Sequence, residues 1–194
     1  MSTLTIALDI MGGDHGPPVI LSAAVKAIQL HPDVHFTLCG DENTIKSGLQ
    51  PLTDAERSRV TIKHCSQVVE MGEVPTSALR NKKDSSMRRV IELVKSGEAD
   101  ACVSAGNTGA LLTLSFYLLK TLSGIDRPAL INMMPTTSHH NVFLLDLGAN
   151  VNCTPEILFQ YGVMGSVLAQ EVAGIPSPRV ALLNVGEEDI KGNA

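Results

Sequence analysis

The 194-residue sequence contains no tryptophan, and aromatic residues make up only 3% of it. Its core must therefore be built mainly from leucine, valine, isoleucine, alanine and methionine. Charged residues amount to 18% and the formal net charge is −5, so the broad positive surface of a nucleic-acid-binding protein is not expected. The longest mostly apolar run, Gly109 to Leu119, is well short of the roughly 20 residues that a transmembrane helix needs. These deficits favour a soluble globular protein with an aliphatic core.

The cysteines are few and far apart, and no C-x-x-C pair is present. Most of them lie in or beside apolar strand-like runs, where cysteine usually behaves as a small buried hydrophobe. We therefore expect a reduced, cytoplasmic chain. The N-terminus lacks a basic region followed by an apolar core, so no signal peptide is expected. His139 and His140 are adjacent, yet no ligand set of recognisable spacing surrounds them, so we predict a surface loop and no metal. The four cysteines are Cys39, Cys65, Cys102 and Cys153.

Strand-like and helix-like patterns alternate along the chain, which predicts an α/β layered fold with a mainly parallel sheet. Strands are predicted at Leu4–Asp9, His35–Cys39, Val60–His64, Ala101–Ser104, Pro128–Met133, Val142–Asp146 and Arg179–Asn184. Helices are predicted from Val19, over Thr44–Leu49, from Ser85 to Gly97, from Asn107 or Thr108 to Lys120, and from Thr154 to Gly174. Residues 66–83 carry turn chemistry and receive no assignment. We expect a single α/β domain over residues 1–194.

Polar, glycine-bearing segments follow several of these strands, and ligands gather at the carboxyl ends of parallel strands. The segments are Asp9 to Gly16, Ser104 to Gly109, Asp146 to Asn150, and Asn184 to Gly192. The chain also stops directly after a strand and a site-like loop, which predicts that a longer natural protein contains this sequence.

The segment from Ser104 to Gly109 reads as a tight turn between a short buried strand and a helix. A helix that begins there would present unpaired N–H groups and the positive end of its dipole to an anion. Asn107 and Thr108 are also good capping residues, so an ordinary strand-to-helix turn is the alternative. The segment matches neither G-x-G-x-x-G nor the P-loop pattern.

Read together, the motifs resemble one family, the bacterial phosphate acyltransferases of phospholipid synthesis (the PlsX family). The motifs that carry the resemblance are Asp9-Ile-Met-Gly-Gly-Asp-His-Gly16, Ser104-Ala-Gly-Asn-Thr-Gly-Ala110, Gly124-Ile-Asp-Arg-Pro-Ala-Leu130, Leu145-Asp-Leu-Gly-Ala-Asn150 and Leu183-Asn-Val-Gly-Glu-Glu-Asp-Ile-Lys-Gly-Asn193. The resemblance implies a Rossmann-like α/β/α sandwich similar to isocitrate and isopropylmalate dehydrogenases, with a C-terminal part missing here. It also implies transfer of a long-chain acyl group from acyl carrier protein to inorganic phosphate, with no cofactor and no obligatory metal.

The chemistry of such a transfer indicates which residues to seek. Phosphate is already anionic and nucleophilic, so the main tasks are to hold it beside the thioester and to stabilise charge on the carbonyl oxygen. Lys191, the cation of the last loop, lies where the family has a functional lysine and is the first candidate. Ser104 and Asn107 are the next candidates, as donors to phosphate or to the carbonyl oxygen. Thr108, Gly106 and Gly109 are expected to bind substrate in the same turn.

Further positions are expected to shape or line the site. Asp146 and Asn150 either orient the donors or cap a strand end. Asp9 and Asp14 are expected to shape a glycine-rich loop, because a carboxylate would repel phosphate directly. The last loop adds Asn184, together with Glu187 and Glu188, which are expected to position Lys191, while His15 is expected to be structural.

The resemblance also implies partners. Acyl carrier protein is acidic, so Lys82, Lys83, Arg88 and Arg89 are either a docking surface for it or a solvated helix edge. The apolar helix Leu111 to Leu119 is either a wall for the acyl chain or, as we favour, core. A homodimer is implied, and peripheral association with a membrane or with a glycerol-3-phosphate acyltransferase stays open. The alternatives are a short-chain phosphotransacetylase that uses coenzyme A, and a non-catalytic module that binds phosphate or acyl carrier protein.

Overall fold

The structure is a computed structural model that describes residues 4–137, 141–150 and 152–184. The chain divides into two compact units, Met1–Lys120 and Thr121–Ala194, and each unit is described by itself. The expectation of one domain over residues 1–194 stays a prediction.

The first unit is built on a four-stranded parallel sheet with the order β3-β2-β1-β4. Its strands are β1 (Leu4–Asp9), β2 (Val34–Gly40), β3 (Val60–His64) and β4 (Ala101–Val103). Its helices are α1 (Pro17–Leu30), α2 (Glu42–Gly48), α3 (Asp54–Arg57), α4 (Pro75–Asn81), α5 (Ser86–Ser96) and α6 (Thr108–Leu119).

Helices cover both faces of this sheet, which makes the unit a three-layer sandwich. In a strand, successive side chains point to opposite faces. Ala7 accordingly packs with side chains of α5 and α6, whereas its neighbours Ile6 and Leu8 pack with those of α1 and α2. The Rossmann-like α/β fold expected from the sequence is confirmed.

Local capping explains where several helices begin and end. The Ser85 hydroxyl accepts a hydrogen bond from the Arg88 amide at the start of α5, and Gly97 ends that helix in the left-handed conformation with φ 76°. The short helix α3, which the sequence analysis missed, begins with a complete capping box between Thr53 and Glu56. Helix α4 lies within the unassigned residues 66–83 and has a proline, Pro75, in its first turn.

The second unit contains an antiparallel pair of strands and a long helix. The strands are β5 (Ile131–Pro135) and β6 (Asn141–Leu145), and the helix is α7 (Pro155–Ala173). Thr154 caps α7 and Gly174 closes it with φ 63°, as the sequence predicts. Ile157, Tyr161 and Ala169 form its buried side.

The structure corrects two expectations about strands. The predicted strand Arg179–Asn184 is wrong, because these residues have no regular structure and pair with no strand in the part of the chain that is described. Val180 and Leu182 are 61% and 76% exposed there. The strand at 101–103 does form, but the expectation that it is buried is wrong, because β4 is the edge of the described sheet and Val103 is 56% exposed.

Among the helices that the structure describes, none combines the length and the apolarity that a membrane crossing requires. Helix α6 packs Ala110, Leu114 and Leu118 into the core, so the core interpretation of this helix is confirmed for those residues. Its opposite side exposes Phe116 and Leu119 to 44% and 43%.

Candidate functional site

The register of two parallel strands brings Asp9 and Ser104 together although 95 residues separate them. Leu8 pairs with Val103, so the next residues along the chain, Asp9 and Ser104, lie at the same carboxyl edge of the sheet. The Ser104 hydroxyl donates a 2.6 Å hydrogen bond to Asp9 Oδ2 and accepts one of 3.1 Å from the Gly106 amide. The Met11 amide donates to the other oxygen, Asp9 Oδ1, at 3.3 Å. Asp9 is only 2% exposed, so its carboxylate is a buried anchor for the two loops that meet here.

The loops after β1 and β4 touch through glycines. A Cβ atom on Gly12 would lie 2.8 Å from Asp9 Oδ2 and 3.0 Å from the Gly106 amide nitrogen. Real Cβ atoms do not approach a carboxylate that closely, and the backbone nitrogen cannot swing aside as a flexible side chain would. Absence of a side chain at position 12 is therefore what allows the contact.

Asn107 connects this edge to a third segment, residues 70–73. Its Oδ1 accepts a 2.9 Å hydrogen bond from the Ala110 amide and thereby caps α6. Its Nδ2 donates to the backbone oxygens of Met71 at 2.8 Å and Glu73 at 2.9 Å, with a longer contact to Glu70 at 3.4 Å. Every polar atom of this side chain is thus engaged in holding the protein's own backbone.

The N-terminus of α6 leaves donors available at this edge. The amides of Thr108 and Gly109 make no hydrogen bond to any residue that the structure describes. Thr108 is exposed and Gly109 is half-buried, so a ligand can reach these groups. Unpaired N–H groups at a helix start, together with the helix dipole, favour an anion.

Cys102, which lies in β4 just before the turn, is unsuited to nucleophilic chemistry. Burial, with a smaller contribution from the Asp9 carboxylate, raises the pKa of the Cys102 thiol. A raised pKa keeps the thiol protonated near neutral pH, and the thiolate is the reactive form.

The second unit holds Asp146 and Asn150 in a small network of its own. Asp146 Oδ1 accepts from the Leu130 amide at 2.7 Å, and its Oδ2 accepts from the Asn150 side chain at 3.1 Å. Asn150 Nδ2 also donates to the Pro128 backbone oxygen at 3.1 Å. Both side chains are half-buried, and their hydrogen bonds connect the segment after β6 to the segment before β5.

The basic residues Lys83, Arg88 and Arg89, which follow α4 and lie in the first turns of α5, are paired within the protein. Arg88 Nε lies 2.7 Å from Glu92, and Arg89 lies 2.9 Å from both Asp84 and Glu92. The Lys83 ammonium donates to the Leu79 backbone oxygen at 2.9 Å. Much of the positive charge that could meet an acidic partner is therefore balanced locally.

Comparison with known proteins shows to which family the chain belongs. A family model described as "Fatty acid synthesis protein" matches residues 4–194. The chain belongs to this family. It is 56% identical over 192 residues to a phosphate acyltransferase of Halorhodospira halophila, with 99% of this chain and 56% of that protein covered. It is 57% identical over 193 residues to a phosphate acyltransferase of Aeromonas salmonicida, with 100% of this chain and 57% of that protein covered.

Membership confirms the resemblance inferred from the motifs. A phosphate acyltransferase of Pseudoalteromonas atlantica is likewise 56% identical over 194 residues, which cover 100% of this chain and 57% of that protein. The chain therefore spans between half and two thirds of the length of these curated family members.

The structure brings some of the predicted site residues together and leaves others apart. Asp9, Ser104 and Gly106 form one hydrogen-bonded group, while Asp14 is exposed and has no hydrogen bond to the described part of the chain. Asn184 is exposed and belongs to no helix or strand. The predictions on Lys191, Glu187, Glu188, His139 and His140 fall outside the described residues.

Sequence reasoning missed several residues at this edge. Gly12 was seen only as part of a loop, and Ser86 and Met87 only as the start of an amphipathic helix. The Met87 methyl group would lie 2.7 Å from a Cβ on Gly106, so α5 begins directly beside the turn. The two consecutive serines before the apolar face of α5 could have pointed to Ser86, because only one serine is needed to cap a helix.

Proposed function

We propose that this chain is the phosphate-binding part of an acyltransferase, which moves a long-chain fatty acyl group from acyl carrier protein to inorganic phosphate. The observation that carries the proposal is the start of α6. There the unpaired amides of Thr108 and Gly109 stand at the carboxyl edge of a parallel sheet, beside the buried Asp9–Ser104 pair. An anionic substrate is what such an edge binds, and several family relatives are named phosphate acyltransferase.

Within this proposal the residues of the turn divide into two roles. The amides of Thr108 and Gly109 and the Thr108 hydroxyl bind phosphate. Ser104 and Asn107 position those amides, since the Ser104 proton is held by Asp9 and the Asn107 amide group by backbone oxygens. Asp9 serves as an anchor, because both of its oxygens already accept hydrogen bonds from the protein.

The transfer itself needs stabilisation of the oxyanion that forms as phosphate attacks the thioester carbonyl. A bond forms between a phosphate oxygen and the carbonyl carbon, and the carbon–sulfur bond breaks to release the carrier thiolate. We assign Lys191 to phosphate binding or oxyanion stabilisation, and Glu187 and Asn184 to the loop that presents it. Asp146 and Asn150 order the backbone of the second unit, and Asp14 shapes the loop after β1. No cofactor or metal is required by this chemistry.

The proposal extends to partners and location. Acyl carrier protein supplies the acyl group, and the product is an acyl phosphate for phospholipid synthesis. We expect a cytoplasmic homodimer that associates peripherally with the membrane or with a glycerol-3-phosphate acyltransferase.

The direct test is formation of acyl phosphate from long-chain acyl carrier protein, trapped with hydroxylamine, with and without inorganic phosphate. We expect phosphate-dependent product from this chain and its loss in Lys191→Ala. Lys26→Ala, which removes an exposed lysine of α1, should retain the activity of the parent.

Other outcomes separate the alternatives. Faster turnover with acetyl-coenzyme A than with long-chain acyl carrier protein would indicate a short-chain phosphotransacetylase. Phosphate binding by a folded chain without any turnover would indicate a binding module and would contradict the expectation that this chain forms acyl phosphate.

A further inference from the structure

Ser86 is the first residue of α5 and is buried to 1% exposure. Its hydroxyl makes no hydrogen bond to any residue that the structure describes. The neighbouring Ser85 accounts for the capping of α5, because its hydroxyl accepts from the Arg88 amide at 3.3 Å and donates to the Lys82 backbone oxygen at 3.0 Å. Buried hydroxyls in proteins are normally hydrogen-bonded, so an unused one beside a substrate site calls for a partner.

Helix α5 begins beside the turn that leads into α6, where phosphate binding is proposed. Met87, the next residue, packs against Gly106 in the turn before α6. The bridge between Gln67 and Ser85 holds the start of α5 at the carboxyl edge, and the Ser86 amide donates to the Gln67 backbone oxygen at 3.3 Å. Two helix starts, those of α5 and α6, therefore meet at one edge of the sheet.

The direction of the Ser86 side chain follows from helix geometry. Cα–Cβ bonds in an α-helix tilt toward its N-terminus, so a side chain in the first turn is directed toward the open end of the helix. That end carries another donor without a partner, since the Met87 amide makes no hydrogen bond within the described part of the chain.

We propose that the Ser86 hydroxyl, with the Met87 amide, binds the inorganic phosphate that the α6 amides hold from the other side. This inference rests on the proposed function and deepens it by assigning a second helix start to the phosphate site. A hydroxyl suits this place, because it donates to phosphate without adding a charge that would have to be buried when the site is empty.

The test compares Ser86→Ala with Ser96→Ala, which removes a hydroxyl at the other end of the same helix where it donates to the Leu93 backbone oxygen. Affinity for inorganic phosphate is measured by calorimetry on the full 194-residue chain, with chloride at matched ionic strength as the reference. Unfolding temperatures are measured with and without phosphate.

For Ser86→Ala we expect the unfolding temperature without phosphate to equal or exceed that of the parent, because no hydrogen bond within the protein is lost. Its dissociation constant for phosphate should rise roughly tenfold, as expected when one hydrogen bond to a charged group is removed. In turnover assays KM for phosphate should rise while KM for acyl carrier protein stays the same. Ser96→Ala should bind phosphate as the parent does.

Equal phosphate affinity in the parent and in Ser86→Ala would overturn the inference and leave the proposed function intact. A lower unfolding temperature without phosphate, together with unchanged affinity, would assign Ser86 a structural role instead. A folded parent that neither binds phosphate nor forms acyl phosphate would refute the proposed function and this inference with it.

Discussion

Asp9 and Asp14 are only five residues apart in the chain, but their carboxylates have very different surroundings. Asp9 is buried and accepts hydrogen bonds from Ser104 and Met11, whereas Asp14 is exposed and accepts none from the described residues. From the sequence, both are expected to shape the same loop, because they lie in one glycine-rich motif. Only burial separates them, and burial depends on the strand that lies next to β1.

This difference predicts unequal effects of the same substitution. Asp9→Asn replaces one accepting oxygen with a donor that faces either the Met11 amide or the Ser104 hydroxyl, so we expect a loss of about 1–3 kcal/mol in the free energy of unfolding. Asp14→Asn should change it by less than about 0.5 kcal/mol. Urea unfolding of both variants measures this, and equal effects would contradict the assignment of Asp9 as an anchor.

Helix starts and the segments beside them form the next level of organisation. Asn107 joins α6 to residues 70–73 through opposite ends of one amide group. Asp84 similarly joins α5 to the segment after β3, because it accepts from the Ser66 amide at 2.9 Å, the Ser66 hydroxyl at 2.7 Å and Arg89 at 2.9 Å. Both sets of hydrogen bonds involve residues 66–73, to which the sequence pattern assigns no secondary structure.

The two roles of Asn107 can be separated by a single substitution. Asn107→Asp keeps the oxygen that caps α6 but replaces the donor with an oxygen that faces the Met71 and Glu73 carbonyls. We expect hydrogen exchange in residues 70–74 to accelerate while the amides within α6 stay protected, since the cap is preserved. Equal acceleration in both segments would show that the amide group does not act on them separately.

The hydrogen bonds of the Asp84 carboxylate predict a specific dependence of stability on pH. Hydrogen bonds from Ser66, followed by that from Arg89, lower the pKa of the Asp84 carboxyl to about 2. An unfolded chain has the ordinary value of about 3.9, so the stabilisation is fully present above that pH and is lost as pH falls through about 2. The effect should be modest, because the side chain is 40% exposed and solvent screens its interactions.

The measurement is the free energy of unfolding of the parent and of Asp84→Asn from pH 7 to pH 2. We expect the parent to be more stable at pH 7 and the two curves to converge below about pH 4. Ser66→Ala, which removes one donor, should show a smaller difference with the same trend. Parallel curves over this range would contradict the assignment.

The molecule as a whole divides unevenly between its two units. Met1–Lys120 contains the complete four-stranded sheet and both clusters of buried residues that cover its faces. In the second unit many apolar side chains are exposed, including Phe159 at 73% and Val172 at 68% on α7.

We therefore predict that residues 1–120 fold on their own, because a sheet with helices on both faces already buries its apolar sides. The purified fragment should show a cooperative urea transition by circular dichroism, with a midpoint close to the first transition of the full chain. A gradual, non-cooperative transition would instead support the expectation of one domain over residues 1–194.

Much of the local structure was predictable from the sequence. Helices α5 and α7 begin and end where capping residues and glycines indicate, because a cap acts on amides only two or three residues away. Strands β1 and β3 were predicted with the bounds that they have. The prediction of a strand at 179–184 was wrong, since an apolar run becomes a strand only if another strand pairs with it.

The sequence by itself determined the family, the alternation of strands and helices, and the presence of a polar, glycine-rich turn before α6. Each of these depends on residues that are close together in the chain or on motifs that can be read in order. Only the tertiary structure decided that Asp9 meets Ser104, that Gly12 meets Gly106 and that α5 begins beside the same turn. The physical reason is that strand register and burial depend on distant neighbours, which local patterns do not specify.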